Sequence, residues 1–102
     1  NYSSHKYFSW YIILQIMDIN QLIEIVKRKI NQNISCDKVE VEDKTFLHQS
    51  HQSHQNGKFH IKLKIKSLYL KEKNKIESTK KIYKILDEEL KKYIHSIQIL
   101  ID

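Results

Sequence analysis

The sequence predicts an α+β fold: a small three-stranded mixed sheet covered on one face by helices, in the order αββααβ. Two segments alternate apolar and polar residues, as half-buried strands do. Two others repeat apolar residues every three or four positions, as amphipathic helices do. A third alternating segment directly follows the last helix. Because helices separate the second and third strands, these strands should be parallel and joined by a right-handed crossover.

The first helix is predicted to begin after Asp18, a suitable N-cap, and to end near Asn31 to Asn33. A short strand follows around Val39 and Val41, and a clearer one runs from Phe59 to Lys66. If these strands form a hairpin, acidic residues of the first and lysines of the second share the open face of the sheet. The apolar stripe of the helix consists of Ile19, Leu22, Ile23, Val26 and Ile30. The charged residues on the open face of the hairpin are Glu40, Glu42, Lys62 and Lys64.

The last third of the chain carries the strongest pattern. After a turn or single helical turn over Ser67–Asn74, one long helix is predicted over Lys75–Tyr93. The apolar period then changes to two, which predicts a strand with Ser96 and Gln98 on its polar face. His95 lies at the junction, where a side chain able to bind metal is well presented. The helix stripe is Ile82, Ile85, Leu86, Leu90 and Tyr93, and the strand's apolar face is Ile97, Ile99 and Ile101.

Composition limits the function. A chain of 102 residues forms one domain, and at this size about 60–70% of the unfolded surface is buried, which disfavours a deep active site. The net charge is +6, and Arg28 is the only arginine among 18 basic residues. Lysines attract phosphate or acidic partners but lack the forked geometry of arginine. Gly57, the only glycine, excludes P-loops and the GXXG clamp of KH domains. No catalytic set can be assembled by spacing, so an enzyme is not expected.

The first eighteen residues are predicted to be separate from a domain over residues 19–102. The chain opens on Asn1 instead of Met, which suggests a fragment or a processed form. Tyr7–Met17 is apolar but shorter than the roughly 20 residues that span a membrane as a helix. A targeting remnant, an extra packed helix and an interfacial anchor remain open. The compartment stays open as well, cytoplasmic or organellar (mitochondrial).

Cysteine and histidine are the remaining candidates for chemistry. Cys36 is the only cysteine, and the charge of Asp37 disfavours its thiolate, so a structural thiol is predicted. The loop between the first two strands holds three imidazoles within seven residues, an unusual concentration of metal ligands, although a low-complexity expansion also explains the repeat. A self-contained zinc site is disfavoured, because it needs four ligands and usually cysteines. The three loop histidines are His48, His51 and His54.

Several short motifs follow one another in a fixed order along the chain. They are Val39-Glu40-Val41-Glu42-Asp43-Lys44-Thr45 followed by His48, His60-Ile61, Ser67, Ile82-Tyr83, Glu88-Glu89-Leu90 and Ile94-His95-Ser96-Ile97. This ordered set resembles the BolA family. The resemblance covers roughly Ile19 to Ile101 and needs no gap from His60 onward, and only the histidine loop is longer than usual.

The resemblance implies a fold similar to type II KH domains without the GXXG clamp, and a non-enzymatic role in iron–sulfur cluster assembly and trafficking. It implies that His95 ligates a [2Fe–2S] cluster shared with the cysteine of a monothiol glutaredoxin and with glutathione. His48 matches the second ligand, and His51 and His54 are alternates because the loop is long. The chain alone is then expected to be a monomer without a cluster, and to form a heterodimer with the glutaredoxin. Imidazole ligation would raise the reduction potential and require deprotonated histidine.

Two departures and one alternative accompany the resemblance. The family's Arg-His-Arg is here Ser78-Thr79-Lys80, and its Phe-x-Gly is Leu70-Lys71-Glu72, which weakens arginine-based DNA recognition. His95 can also be a hydrogen-bonded strand-start residue, and His60, which alternates with the lysines on the open sheet face, is expected to be structural. The alternative function is a nucleic-acid-binding transcriptional regulator that uses Lys62, Lys64, Lys66, Lys80, Lys81 and Lys84.

Overall fold

The structure is a computed structural model that describes residues 17–45 and 58–102. Within these ranges it confirms an α+β fold in which helices cover one face of a three-stranded mixed sheet, with the strand order β1-β2-β3. The elements are α1 (Ile19–Asn33), β1 (Lys38–Asp43), β2 (Phe59–Lys66), α2 (Leu68–Lys71), α3 (Lys75–Ile85), α4 (Asp87–Lys92) and β3 (Ile94–Ile101).

Helix α1 begins with a reciprocal cap. The Gln21 backbone N–H donates to the Asp18 carboxylate at 2.8 Å, and the Asp18 N–H donates to the Gln21 side chain at 3.0 Å. These bonds satisfy two backbone groups that would otherwise lack partners at the helix start. The predicted stripe then places Leu22, Val26 and Ile30 fully inside the core. The predicted start and end of this helix are confirmed.

Strands β1 and β2 form the predicted antiparallel hairpin. Its register places Glu40 opposite Lys64 and Glu42 opposite Lys62 on the open face. The Lys64 ammonium lies 3.1 Å from the Glu42 carboxylate, and the Lys44 ammonium lies at the same distance. Hydrogen bonds from Lys44 and Lys64 lower the pKa of Glu42, and Glu42 in turn raises the pKa of Lys64. Charge pairing across the sheet therefore accounts for part of the lysine row.

Strand β3 runs parallel to β2, as the helical crossover predicts. Leu63 lies opposite Ile99, and Ile65 lies opposite Ile101, so their apolar side chains meet the helices on one face. Ser96, Gln98 and Leu100 face the other way and are exposed. The core residues from all layers are Leu22, Val26, Ile30, Ile34, Ile61, Leu63, Ile65, Leu70, Ile82, Leu86 and Ile94.

The prediction of one long helix over Lys75–Tyr93 is wrong in one respect. The structure has two helices there, α3 and α4. The break lies at Leu86, whose backbone angles (φ −99°, ψ 19°) leave the helical region. Leu86 itself is fully buried. After the break, Glu89 turns toward the interior, while Leu90 is only partly buried. The short preceding helix α2 is confirmed, with Ser67 as its N-cap.

A buried ion pair explains why a glutamate faces the interior of α4. The Lys29 ammonium of α1 lies 2.6 Å from one carboxylate oxygen of Glu89, whose side chain is 5% exposed. Glu88 approaches the same ammonium at 3.7 Å. The other Glu89 oxygen is buried without a hydrogen-bond partner. This pair therefore joins the first helix to the last one inside the helical layer.

The apolar segment near the start of the chain lies outside the residues that the structure describes. Residues 1–16, to which the three interpretations of the apolar segment apply, are not among the described residues. Among the helices that are described, none combines the length and the apolar character needed to cross a membrane.

Candidate metal-binding site

A β-bulge presents His95 at the start of β3. Phe59 pairs with Ile94, but the next residue of β2, His60, pairs with Ser96. His95 is therefore the extra residue on β3, and strict alternation would have placed it on the helix-facing side with Ile97. Instead Ile94 is buried and His95 is exposed. The bulge thus presents an imidazole to solvent at the edge of the open sheet face.

His60 supports this imidazole from the neighbouring strand. The His60 and His95 rings lie 4.9 Å apart between centroids, tilted by 58°. His60 Nδ1 shares a hydrogen bond of 2.6 Å with the Ser96 hydroxyl. His60 lies on the open sheet face, as its alternation with the lysines predicts, but the residue is only 7% exposed, unlike those lysines. Its contacts with His95 and Ser96 depend on the register of the parallel strands, which alternation along β2 alone does not predict.

The base of the histidine loop is fixed at the same corner of the sheet. The Thr45 N–H and hydroxyl donate to the Asp43 carboxylate at 2.9 and 2.5 Å. The His60 N–H donates to the Thr45 hydroxyl at 3.2 Å, and the Lys44 N–H donates to the His60 carbonyl at 2.7 Å. These bonds hold the last described residue before the loop against the strand that supports His95.

The predicted loop ligands fall outside the described ranges. His48, His51 and His54 belong to residues 46–57, so the structure brings none of them to His95 and separates none from it. In residues 17–45 and 58–102, no group of three or more His, Cys, Asp or Glu side chains could hold a metal ion. What these residues offer is one exposed imidazole, which can supply one bond to a metal whose other ligands come from elsewhere.

Cys36 does not contribute to this corner. The Asp37 N–H donates to the Lys66 carbonyl at 2.8 Å, which places Cys36 at the far end of β2, about 20 Å from His60 at 3.3 Å per strand residue. The thiol donates to the Asn31 side chain at 3.2 Å. Burial, and secondly the charge of Asp37, raise the pKa of Cys36. A raised pKa lowers the thiolate fraction at neutral pH, in line with the expectation of a structural thiol.

The six lysines of the alternative function lie on two sides of the molecule. Lys62 and Lys64 are on the open face of the sheet, and Lys66 is exposed at the end of β2. The other three belong to α3, which packs over the opposite face, and they do not occur among the ion pairs between described residues. Those three are Lys80, Lys81 and Lys84.

Comparisons with known proteins agree with this architecture. The fold is similar to the BolA domain of SufE1 from Arabidopsis thaliana, with a TM-score of 0.70 and 24% identity over 83% of this chain and 94% of that one. It is similar to BolA1 from Arabidopsis thaliana, with a TM-score of 0.65 and 20% identity over 78% and 88%. A bol-like protein from Babesia bovis follows, with a TM-score of 0.60 and 14% identity over 78% and 80%.

The sequence itself provides the family assignment. A comparison with curated proteins found no match. The family described as BolA-like protein, however, matches residues 30–101, from the end of α1 to the end of β3. This range includes the bulge at His95, its neighbour His60 and both ends of the histidine loop. The chain therefore belongs to the BolA family.

Proposed function

We propose that this protein is a non-enzymatic adaptor that shares a [2Fe–2S] cluster with a monothiol glutaredoxin, and that His95 is one of its ligands. BolA family proteins are generally regulators or adaptors, and a BolA domain is consistent with iron–sulfur related processes. The observation that carries the proposal is the bulge that exposes His95 beside the buried ring of His60. A side chain re-aimed by a bulge and backed by a packed neighbour is well suited to ligate a metal.

The chemistry of the available groups fits a shared cluster better than a resident metal. Imidazole is a good ligand for iron, but [2Fe–2S] clusters are held mainly by thiolates. The one cysteine of this chain lies at the far end of the sheet with a raised pKa. The thiolates must then come from the partner, as glutaredoxin cysteine and glutathione. This chain would supply imidazoles to one iron only.

Covalent reach makes His48 the first choice for the second ligand. It is the third residue after Thr45, a span of at most about 11 Å. Thr45 is itself bonded to His60, which contacts His95. His51 and His54 follow six and nine residues after Thr45, so both stay within reach as alternates. Because only deprotonated imidazole binds iron, acid should release the cluster from whichever pair is used.

Reconstitution with a monothiol glutaredoxin and glutathione tests the proposal. The mixture should form a heterodimer whose visible absorbance and circular dichroism differ from those of the glutaredoxin homodimer. His95→Ala should abolish or alter this spectrum, while Gln98→Ala, an exposed residue of the same strand, should leave it unchanged. Separate alanine variants of His48, His51 and His54 should identify the second ligand. An unchanged spectrum for His95→Ala rejects the assignment.

Nucleic-acid binding is the second candidate, and one observation favours it. Lys81 and Lys84 of α3 line an open cleft of about 510 Å³ together with Lys29 of α1. Phosphate contacts made there would release counterions, so affinity should fall steeply with salt. A fluorescent duplex that binds equally well at low and moderate salt, or not at all at low salt, removes this candidate. Lys81→Ala with Lys84→Ala should weaken binding, whereas Lys91→Ala, whose lysine pairs with Asp87, should have little effect.

A further inference from the structure

Among the described residues, no strand pairs with the outer edge of β3. In the ranges that the structure describes, β3 pairs with β2 on one side and with no strand on the other. The Asp102 N–H donates to the Ile65 carbonyl at 2.8 Å, so the backbone of Asp102 faces β2. Because successive residues of a strand direct their backbone groups to alternate sides, Ile97, Ile99 and Ile101 direct their N–H and C=O groups outward.

This edge lacks the features that usually protect edge strands. Exposed edges normally carry charges, proline or bulges that prevent pairing with another chain. Strand β3 contains no lysine, arginine, carboxylate or proline, and its bulge lies at the beginning of the strand. The opposite edge of the sheet, β1, is protected by the charges of Lys38, Glu40, Glu42 and Asp43. Within the described ranges, the second half of β3 can therefore accept an added strand.

A cleft of about 320 Å³ lies along this half of β3, opposite α2 and the start of α3. Ile99, Leu100 and Ile101 all line it. Since neighbouring strand residues point to opposite faces, a cleft that all three contact must include the strand edge itself. Leu100 remains 40% exposed and adds an apolar surface at this edge. An extended segment could thus find both backbone partners and apolar contacts here.

The charges around the cleft identify the kind of segment. Lys71, Lys73 and Lys75 line it, and no carboxylate does. A second copy of this chain, with a net charge of +6, would bring like charges together. Single-stranded nucleic acid normally stacks on aromatic rings, and none lines the cleft; the nearby Tyr69 ring has the Lys73 ammonium 4.8 Å from its centroid. An acidic peptide fits the charges without these difficulties.

We propose that the outer edge of β3 binds an extended, acidic segment of a partner protein as a fourth strand. Its backbone pairs with Ile99 and Ile101, and its carboxylates lie near Lys71, Lys73 and Lys75. The site is separate from His95, which lies four residues before Ile99 and six before Ile101, about 13 and 20 Å at roughly 3.3 Å per residue. A metal-binding partner and an acidic segment could therefore occupy the two ends of β3 together.

Amide hydrogen exchange on the full chain tests this proposal, with acetyl-Glu-Val-Glu-Val-Glu-Val-amide as the probe. In the free chain, the amides of Ile99 and Ile101 should exchange faster than that of Leu100, which faces β2. Saturating peptide should slow both at least about tenfold, as expected for amides that gain a ladder partner. Lys71→Glu with Lys73→Glu should weaken peptide binding at least about tenfold, since two attractive contacts become repulsive. Lys91→Glu, which changes an exposed lysine of α4, is the matched control.

Several results would overturn the proposal. Exchange at Ile99 and Ile101 that stays unchanged at saturating peptide excludes strand addition. Equal binding of a peptide with lysine in place of glutamate excludes the charge argument. Tighter binding of an oligothymidylate that protects the same two amides assigns the cleft to nucleic acid. Protection that rises with protein concentration in the absence of peptide assigns the edge to a second copy.

Discussion

Replacing Lys29 by Met should unpair the buried carboxylate of Glu89 and destabilise the fold. One oxygen of Glu89 already lacks a hydrogen-bond partner, and the other would lose its bond of 2.6 Å. Breaking a buried pair costs about 3–5 kcal/mol. Because the Lys29 side chain is 27% exposed, we expect a value near the lower end, about 3 kcal/mol. A domain of this size would then lose more than about 10 °C in Tm.

Urea unfolding followed by circular dichroism measures this effect and separates it from surface charge. The midpoint should fall without a change in the m-value. Lys91→Met is the control, because it breaks an ion pair with Asp87 in which both side chains are largely exposed, and it should cost no more than about 0.5 kcal/mol. Adding Glu89→Leu to Lys29→Met should recover most of the loss. A cost for Lys29→Met no larger than that of the control, or no recovery in the double variant, would refute the reasoning.

Three further predictions concern single side chains outside that pair. Ser67→Ala should cost about 1–3 kcal/mol in urea unfolding, because the buried hydroxyl donates to a carbonyl at 2.7 Å and caps α2. Iodoacetamide should modify Cys36 more slowly at neutral pH than an exposed cysteine in a short peptide, and Asp37→Asn should speed the reaction, since burial and Asp37 raise the pKa of the thiol. The lysines that lower the pKa of Glu42 give it a stabilising effect that is complete above the ordinary carboxyl pKa and is lost as the pH falls through the lowered value. Glu42→Gln should therefore make the loss of stability shallower below about pH 4, and an unchanged acid profile would contradict this sign.

The sequence predicted the elements well where one physical pattern dominated. The stripe of α1 and the alternation of β2 each bury one face against the core, and both elements appear with the expected bounds. The parallel β2–β3 pair follows from the helices that connect them. Opposite charges on the open hairpin face also appear as expected. These features depend on residues that are near one another in sequence, or on the order in which helices and strands follow along the chain.

Features that depend on distant partners were harder to predict. The break at Leu86 turns Glu89 toward Lys29, and that partner lies 60 residues away in the chain. The bulge at His95 left one visible signal, because Ile94 and Ile97 both enter the apolar layer although they are three positions apart in the chain. A regular strand cannot place such a pair on one face. The contribution of His60 required the register of the parallel strands, which periodicity does not provide.

The contact between His60 and the start of β3 also affects how the chain folds. His60 and Ser96 are hydrogen-bonded although they are 36 residues apart, and three helices lie between them in the chain. Contacts of such long range carry a large loop-closure entropy and tend to form late and slowly. A partly folded or truncated chain would keep its histidines but not their arrangement. The contact between the His60 and His95 rings should therefore form only when this small domain is completely folded.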